Sequence, residues 1–221
     1  EDDDKIGSFG EGYKIALLVL TRAGYSVVVE NGDKTWIPSF KYSKTFEDEV
    51  LVIESCTEDR QRKGLKFTIS GLSEQDKLSI KEMCLQMQEP DDEYISTSLG
   101  DILLNRAGKL YVGGLFVCNT TLQFGYNMKP HVLQLERDRQ TVSGWDLKYN
   151  TVQMWYDAND YDRVAKMIED GVEDVSYAEY NQTQMIKEAC YKLFRSKHPQ
   201  GVVAANQQEL EQLVRQGMTT V

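Results

Sequence analysis

The sequence is poor in several things that would narrow its chemistry. It has 4 cysteines, 4 prolines and 2 histidines in 221 residues. Its longest apolar run, Ile15 to Leu20, falls far short of the roughly 20 residues that cross a bilayer. No charged start leads into an apolar stretch, so no secretion signal is legible. Cys56, Cys84, Cys118 and Cys190 form no C-x-x-C pair and have only His131 and His198 to assist them, which excludes the common zinc spacings. The chain has enough apolar material to dispense with staples, so buried, reduced thiols and a cytoplasmic setting are expected. Positive charge is scarce too, with 25 basic against 35 acidic residues and a net charge of −10. Such a surface repels phosphate backbones on average and argues against a nucleic-acid partner. The basic cluster Arg60-Gln61-Arg62-Lys63 lies between strand-like segments and reads as an exposed loop. Ser, His and Asp recur in no hydrolase pattern, and neither internal repeats nor heptads are present.

What stands out is Gly7-Ser8-Phe9-Gly10-Glu11-Gly12-Tyr13-Lys14, three glycines spaced G-x-x-G-x-G that open into the apolar run. Glycines can hold positive φ and have no Cβ, so successive N–H groups can turn toward an anion. The positive end of the following helix faces the same point, and Lys14 adds a full charge. A Walker loop requires Ser or Thr after its lysine, and here Ile15 follows. A dinucleotide fingerprint requires a preceding strand, and here Glu1-Asp2-Asp3-Asp4-Lys5 precedes. A phosphate loop and a tight loop-to-helix turn both remain open on composition. The acidic start matches either a purification-tag scar or natural lid sequence, and its aspartates read as solvated charge rather than metal ligands.

The segment resembles the glycine-rich box behind the ATP lid of the GHKL (Bergerat-fold) ATPases. Phe9-Gly10-x-Gly12-Tyr13 is similar to the version in ninety-kilodalton heat-shock chaperones, and Gly12-x-Lys14 to the Morc version. The resemblance implies that Gly7 to Tyr13, including Glu11 on its solvent side, wrap the β- and γ-phosphates of ATP. It implies too that Lys14 touches a phosphate oxygen and that Tyr13 lines the pocket. In that family an upstream helix supplies the glutamate that positions water and the asparagine that holds magnesium, and an Asp-x-Gly-x-Gly reads adenine. Those would precede Glu1, so ATP and magnesium are expected as cofactors with the metal ligands outside this chain, a piece of a larger ATPase. The family's Gly-Thr is Gly64-Leu65 here, so no nucleotide contact is expected on that strand.

Along the chain, Tyr25–Glu30, Thr35–Phe40, Glu49–Glu54 and Gly64–Ser70 read as strands of an antiparallel meander. Asn31-Gly32 supplies the hairpin signal, and Pro38 belongs at an edge or bend. Ser73 to Gln88 reads as a helix. Pro90, inside an acidic run, marks an expected boundary between residues 1–90 and 91–221. The fold class expected is α+β: a partial helix-on-sheet GHKL-like domain, then a smaller α/β, transducer-like domain. In the second domain Asp101–Asn105 and Leu110–Cys118 read as a hairpin, with a bulge or close backbone approach at Gly113-Gly114. Helices are expected over 157–170, 177–196 and 207–215, with strands at 201–205 and from 218.

Arg137-Asp138-Arg139 is the charged cluster with positional logic. In extended chain its two arginines share a side, which suits capture of a phosphate. As catalytic residues, Arg137 or Arg139 would sense the γ-phosphate in the manner of an arginine finger. The competing expectation is an ion-pair network that ties the loop down. Two functions follow: an ATP-binding hydrolase that uses nucleotide to switch conformation or to dimerise, with itself or another protein, or a degenerate GHKL-like scaffold that serves as an interaction module without hydrolysis.

Overall fold

The computed structural model describes residues 11–59, 63–89, 93–133, 143–204, 206–218 and 220. They form an α+β protein of two units, which part between Met83 and Cys84. The parting comes ahead of Pro90, itself outside the described residues, because the chain joins the second unit earlier. Leu85 N–H donates to the Gly114 carbonyl at 2.8 Å, Gln86 Nε2 donates to the Gly113 carbonyl at 3.3 Å, and Cys84 bridges Leu115.

In the first unit, helix α1 (Gly12–Arg22) is followed by strands β1 (Ser26–Asn31), β2 (Lys34–Ser43), β3 (Asp48–Thr57) and β4 (Leu65–Ser70) and helix α2 (Glu74–Glu82). The strands make an antiparallel sheet in the order β3-β2-β1-β4. The β1–β2 turn is where Asn31-Gly32 predicts it, with Gly32 at φ 60°. Val27 and Val29 of β1 alternate onto the face that meets Leu17 of α1, and Leu20, Trp36, Leu51 and Ile69 pack around them. Pro38 has a particular consequence. β2 is an internal strand, yet its ladder with β1 stops at Trp36. From there β2 pairs with β3 alone, out to Ser43–Asp48. The β2–β3 hairpin therefore projects as a two-stranded arm with Tyr42 and Phe46 exposed near its tip.

The helix expected over 73–88 is shorter. α2 carries a capping box between Ser73 and Asp76, ends at Glu82, and gives way to one 3₁₀ turn at Leu85–Met87. Its pattern is only partly amphipathic, and none of its residues is buried.

The second unit begins with β5 (Tyr94–Thr97), β6 (Gly100–Leu103), β7 (Lys109–Val112), β8 (Leu115–Asn119) and β9 (Gly125–Met128), in the sheet order β5-β6-β9-β7-β8. All neighbours are antiparallel except β7 and β9. The expected hairpin of 101–105 with 110–118 does not form. Gly113 and Gly114, at φ 54° and 81°, close a two-residue turn between β7 and β8, and β6 pairs with β5 and β9 instead. Two consecutive left-handed glycines favour a reversal over a bulge. Gly100, at φ 143°, permits the closest approach in this sheet, since a Cβ there would stand 2.1 Å from the Asn127 carbonyl oxygen.

Helices follow as a block: α3 (Gly144–Asp157), α4 (Tyr161–Glu169), α5 (Gln184–Lys197) and α6 (Gln207–Arg215), with 3₁₀ turns at Glu173–Val175 and Ala178–Tyr180. This unit, from Cys84 to Val221, is larger than the first and segregates strands from helices rather than alternating them. Its inter-strand connections are too short for crossover helices. The expected helix over 157–170 forms as α4 but starts later, at Tyr161, because α3 ends at Asp157 and Asn159 has φ 58°, and the expected strands at 201–205 and 218 reduce to one Val202–Thr220 bridge.

Asp174 is fully buried and joins the helices to the sheet. Its carboxylate accepts from the N–H groups of Gln123 at 2.7 Å and Phe124 at 3.1 Å and from Tyr126 Oη at 2.6 Å. Tyr126 Oη in turn accepts from Trp155 Nε1 at 2.9 Å, and Thr151 Oγ1 donates to the Asp174 carbonyl. Burial, and then the neighbouring Asp174 carboxylate, push the Tyr126 phenol well above its ordinary range.

Asp174→Asn replaces one acceptor oxygen with a donor facing other donors and should destabilise the protein by about 3 kcal/mol in chemical denaturation. A loss of under about 1 kcal/mol would show that the carboxylate is dispensable. The raised Tyr126 pKa means that the folded state holds the neutral phenol more firmly than the unfolded chain does. Stability from this group is complete below about pH 10 and is lost as pH rises toward the folded pKa. Tyr126→Phe should be less stable at neutral pH but should show a shallower decline above pH about 10.

Candidate functional site

The start of α1 differs from the starts of the other five α-helices among the described residues. Ser73, Ser143, Asp160, Thr183 and Asn206 each accept a backbone N–H with a side-chain oxygen at the N-cap of α2, α3, α4, α5 and α6. Glu11, at the N-cap of α1, makes no such bond, and no acidic residue stands in the first turn. The Glu11 carbonyl receives the N–H groups of Lys14 and Ile15. Helix geometry leaves the earliest N–H groups outside the intrahelical ladder, with partial positive charge there.

Of the expected phosphate-binding residues, the structure places Glu11, Gly12, Tyr13 and Lys14 together on this first turn, all exposed. Lys14 Nζ lies 5.9 Å from the centroid of the Tyr13 ring, a cation–π contact that holds the ammonium beside the helix start. Gly7, Ser8, Phe9 and Gly10 lie outside the described residues, as do Asp138 and both expected catalytic residues, Arg137 and Arg139. The helix is positioned by Leu17, 1% exposed against β1, while Ile15 and Val19 stay on its outer side at 55% and 57%. Gly64, at φ 84°, leads directly into Leu65 of β4.

Two features escaped the sequence reading. Trp145, a large aromatic, is 56% exposed and stacks on Tyr149 at 5.3 Å with an interplanar angle of 7°. The i,i+4 spacing on α3 was the available signal. The cysteines are free, but Cys56 is exposed and the other three are half-buried rather than sequestered. Burial raises the Cys118 and Cys190 thiols, which opposes thiolate formation there.

A hollow of about 300 Å³ lies elsewhere, between α4 and α5. Its charges are mutually satisfied, with Asp162 bound to Lys192, Asp160 to Arg163 and Glu188 to Gln184. No group of three or more His, Cys, Asp or Glu able to hold a metal occurs among the described residues. None of the described helices is long and apolar enough to cross a membrane.

No family model matches the chain. No solved structure matches it. It is similar to an uncharacterized protein of Mycoplasma pneumoniae (strain ATCC 29342 / M129), 23% identical over 162 residues. The matched stretch takes in 70% of this chain and 66% of that relative, so the chain spans just under two thirds of the relative's length.

Tyr13→Asp would put a carboxylate on the bare first turn, where the helix dipole favours it. This substitution should raise stability by about 0.5 kcal/mol. Thermal unfolding at low and high salt checks it, because a dipole effect shrinks with ionic strength.

Proposed function

We propose that this chain is the phosphate-binding part and adjoining domain of a GHKL-type ATPase, whose nucleotide drives conformational switching or the closure of two protomers in the cytoplasm. The reading rests on one observation. The helix that follows the glycine triplet begins at Gly12 with neither a side-chain cap nor an acidic first turn, and exposed Lys14 stands beside it. That donor set suits an anion of several oxygens, which takes backbone N–H groups and a lysine together. Phosphate oxygens of ATP would lie over the N-terminal turn of α1, and Tyr13 would flank them. Leu17 and Leu20, packed on β1 and β2, keep the turn from shifting when charge arrives.

Magnesium, when bound, would neutralise phosphate charge and orient the terminal phosphoryl group. Its ligands are expected outside the described residues. Arg137 and Arg139 remain the proposed sensors of the γ-phosphate. The second reading, a degenerate scaffold used for assembly, is favoured by Leu65 standing where the family has threonine on the last strand of the first unit.

Fluorescent ATP-analogue binding and phosphate release by the intact protein test the proposal. Gly10→Val should abolish binding, since a branched side chain fills the space required for phosphate oxygens. Lys14→Ala should weaken binding by about tenfold, because backbone donors remain. Arg137→Ala or Arg139→Ala should lower turnover with ADP affinity nearly unchanged. Binding without turnover in the intact protein would select the scaffold reading, and binding untouched by Gly10→Val would remove the loop from the site.

A further inference from the structure

Strand β3 is an edge of the first unit's sheet. All ten of its residues pair with β2 on one side, and no strand among the described residues pairs with it on the other. It has no proline, no glycine and no register shift. Alternate N–H and C=O groups therefore point outward along roughly 30 Å. Edges are commonly blunted by proline, lysine, a bulge or a covering element, and β3 carries only the carboxylates Asp48, Glu49 and Glu54. The outer part of the β2–β3 arm also lacks a third strand, because the β1 ladder stops at Trp36. A two-stranded ribbon is marginal in water by itself.

We propose that β3 is a homodimer interface, in which two copies pair their β3 strands antiparallel about a two-fold axis at Val52 and join two four-stranded sheets into one of eight. The inference does not rest on nucleotide binding. A two-fold axis perpendicular to the sheet keeps each face on its own side, so it sets Leu51 opposite Ile53 of the partner subunit and Val50 opposite Glu54 of the partner subunit. The ladder within each subunit extends these pairs into rows. On the face that carries α1, Phe40 pairs with Leu51 and Pro38 with Ile53, so the row runs Phe40, Leu51, the partner's Ile53, the partner's Pro38, apolar throughout.

On the other face Lys41 pairs with Val50, which puts Lys41 in line with Glu54 of the partner subunit. The two are separated by two strand spacings, about 10 Å between Cα atoms, a gap that two long side chains bridge. Within one chain Lys41 already bonds Glu54, so the pair can be exchanged across the axis without stranding a charge. Glu49 meets Ser55 of the partner subunit and Asp48 meets its Cys56, so no carboxylate opposes another.

Neighbouring registers are poorer. Centring on Leu51 opposes Asp48 to Glu54 of the partner subunit. Centring on Ile53 brings the partner's Glu54 opposite Val52, in line with Ser39 rather than Lys41. Charge and apolar matching thus select Val52 as the axis and a second copy of this chain as the occupant.

Sedimentation velocity of the full chain across the micromolar range should show a concentration-dependent dimer. Val52→Lys places two lysines face to face at the axis and should weaken dimerisation at least about tenfold, as should Val52→Glu. An equimolar mixture of the two variants should restore the dimer that neither forms alone. Circular dichroism verifies that each is folded. Register is read separately in a Cys56→Ser background. There Val52→Cys should form an intermolecular disulfide, its Cα pair lying about 4.5–5.5 Å apart, whereas Ile53→Cys, facing Leu51, should not. A chain monomeric at every concentration, a Val52→Lys variant as dimeric as the parent, a mixture that fails to associate, or preferential crosslinking of Ile53→Cys would each overturn the proposal.

Discussion

The buried carboxylate of Asp174 is the interaction on which the second unit depends. It sits in a 3₁₀ turn after α4 and satisfies two consecutive backbone N–H groups, at Gln123 and Phe124, where the chain approaches β9. Those donors are part-buried, and losing the carboxylate would cost up to about one hydrogen bond each. The bond from Tyr126 and the one Tyr126 receives from Trp155 carry the same network to the last turn of α3. The result is that the helical block is oriented on the sheet by directional bonds as well as by apolar packing. β9, the inserted strand parallel to β7, is thereby held between β6 and β7.

The first unit is built on a different constraint, the termination of one ladder by one proline. β1 is short, and β2 outlasts it. α1 covers the part of the sheet where β1, β2 and β4 meet, with Leu17 against Val27 and Val29. This packing holds the helix start at the surface, where the proposed anion site requires it, and leaves the arm and the β3 edge outside the cover of a third strand. Anion binding at the helix start and pairing at the sheet edge are thus separable properties of one small α+β layer.

Much of this fold was legible beforehand. The β1–β2 turn was marked by Asn31-Gly32, α2 by Ser73 with Asp76, and α6 lies where its pattern puts it. Errors came where one sequence pattern serves two structures. Leu110 to Cys118 reads as a single strand, but two glycines at positive φ fold it back on itself. Asp157 to Asp170 reads as one helix, and the helix that forms there, α4, starts four residues later, because α3 ends at Asp157 and Asn159 in the left-handed region lets Asp160 cap a new start. The helix α3 was missed because Trp145, Tyr149 and Asn150 are weak helix formers, and burial of Val152, Met154 and Trp155 overrides that local preference.

What the sequence alone determined is local. The apolar run after Gly12 dictates a helix, and Tyr13 and Lys14 are presented together on its first turn because they are neighbours in the chain. Tertiary structure alone decided the long-range matters. It inserted β9 between β6 and β7, paired Asp174 with a loop some fifty positions earlier, and left β3 as an edge. The physical reason is that turns, caps and helix starts are satisfied within a few residues. Strand order and buried polar partners are chosen instead by which distant groups can bury their apolar faces and pair their hydrogen bonds at once.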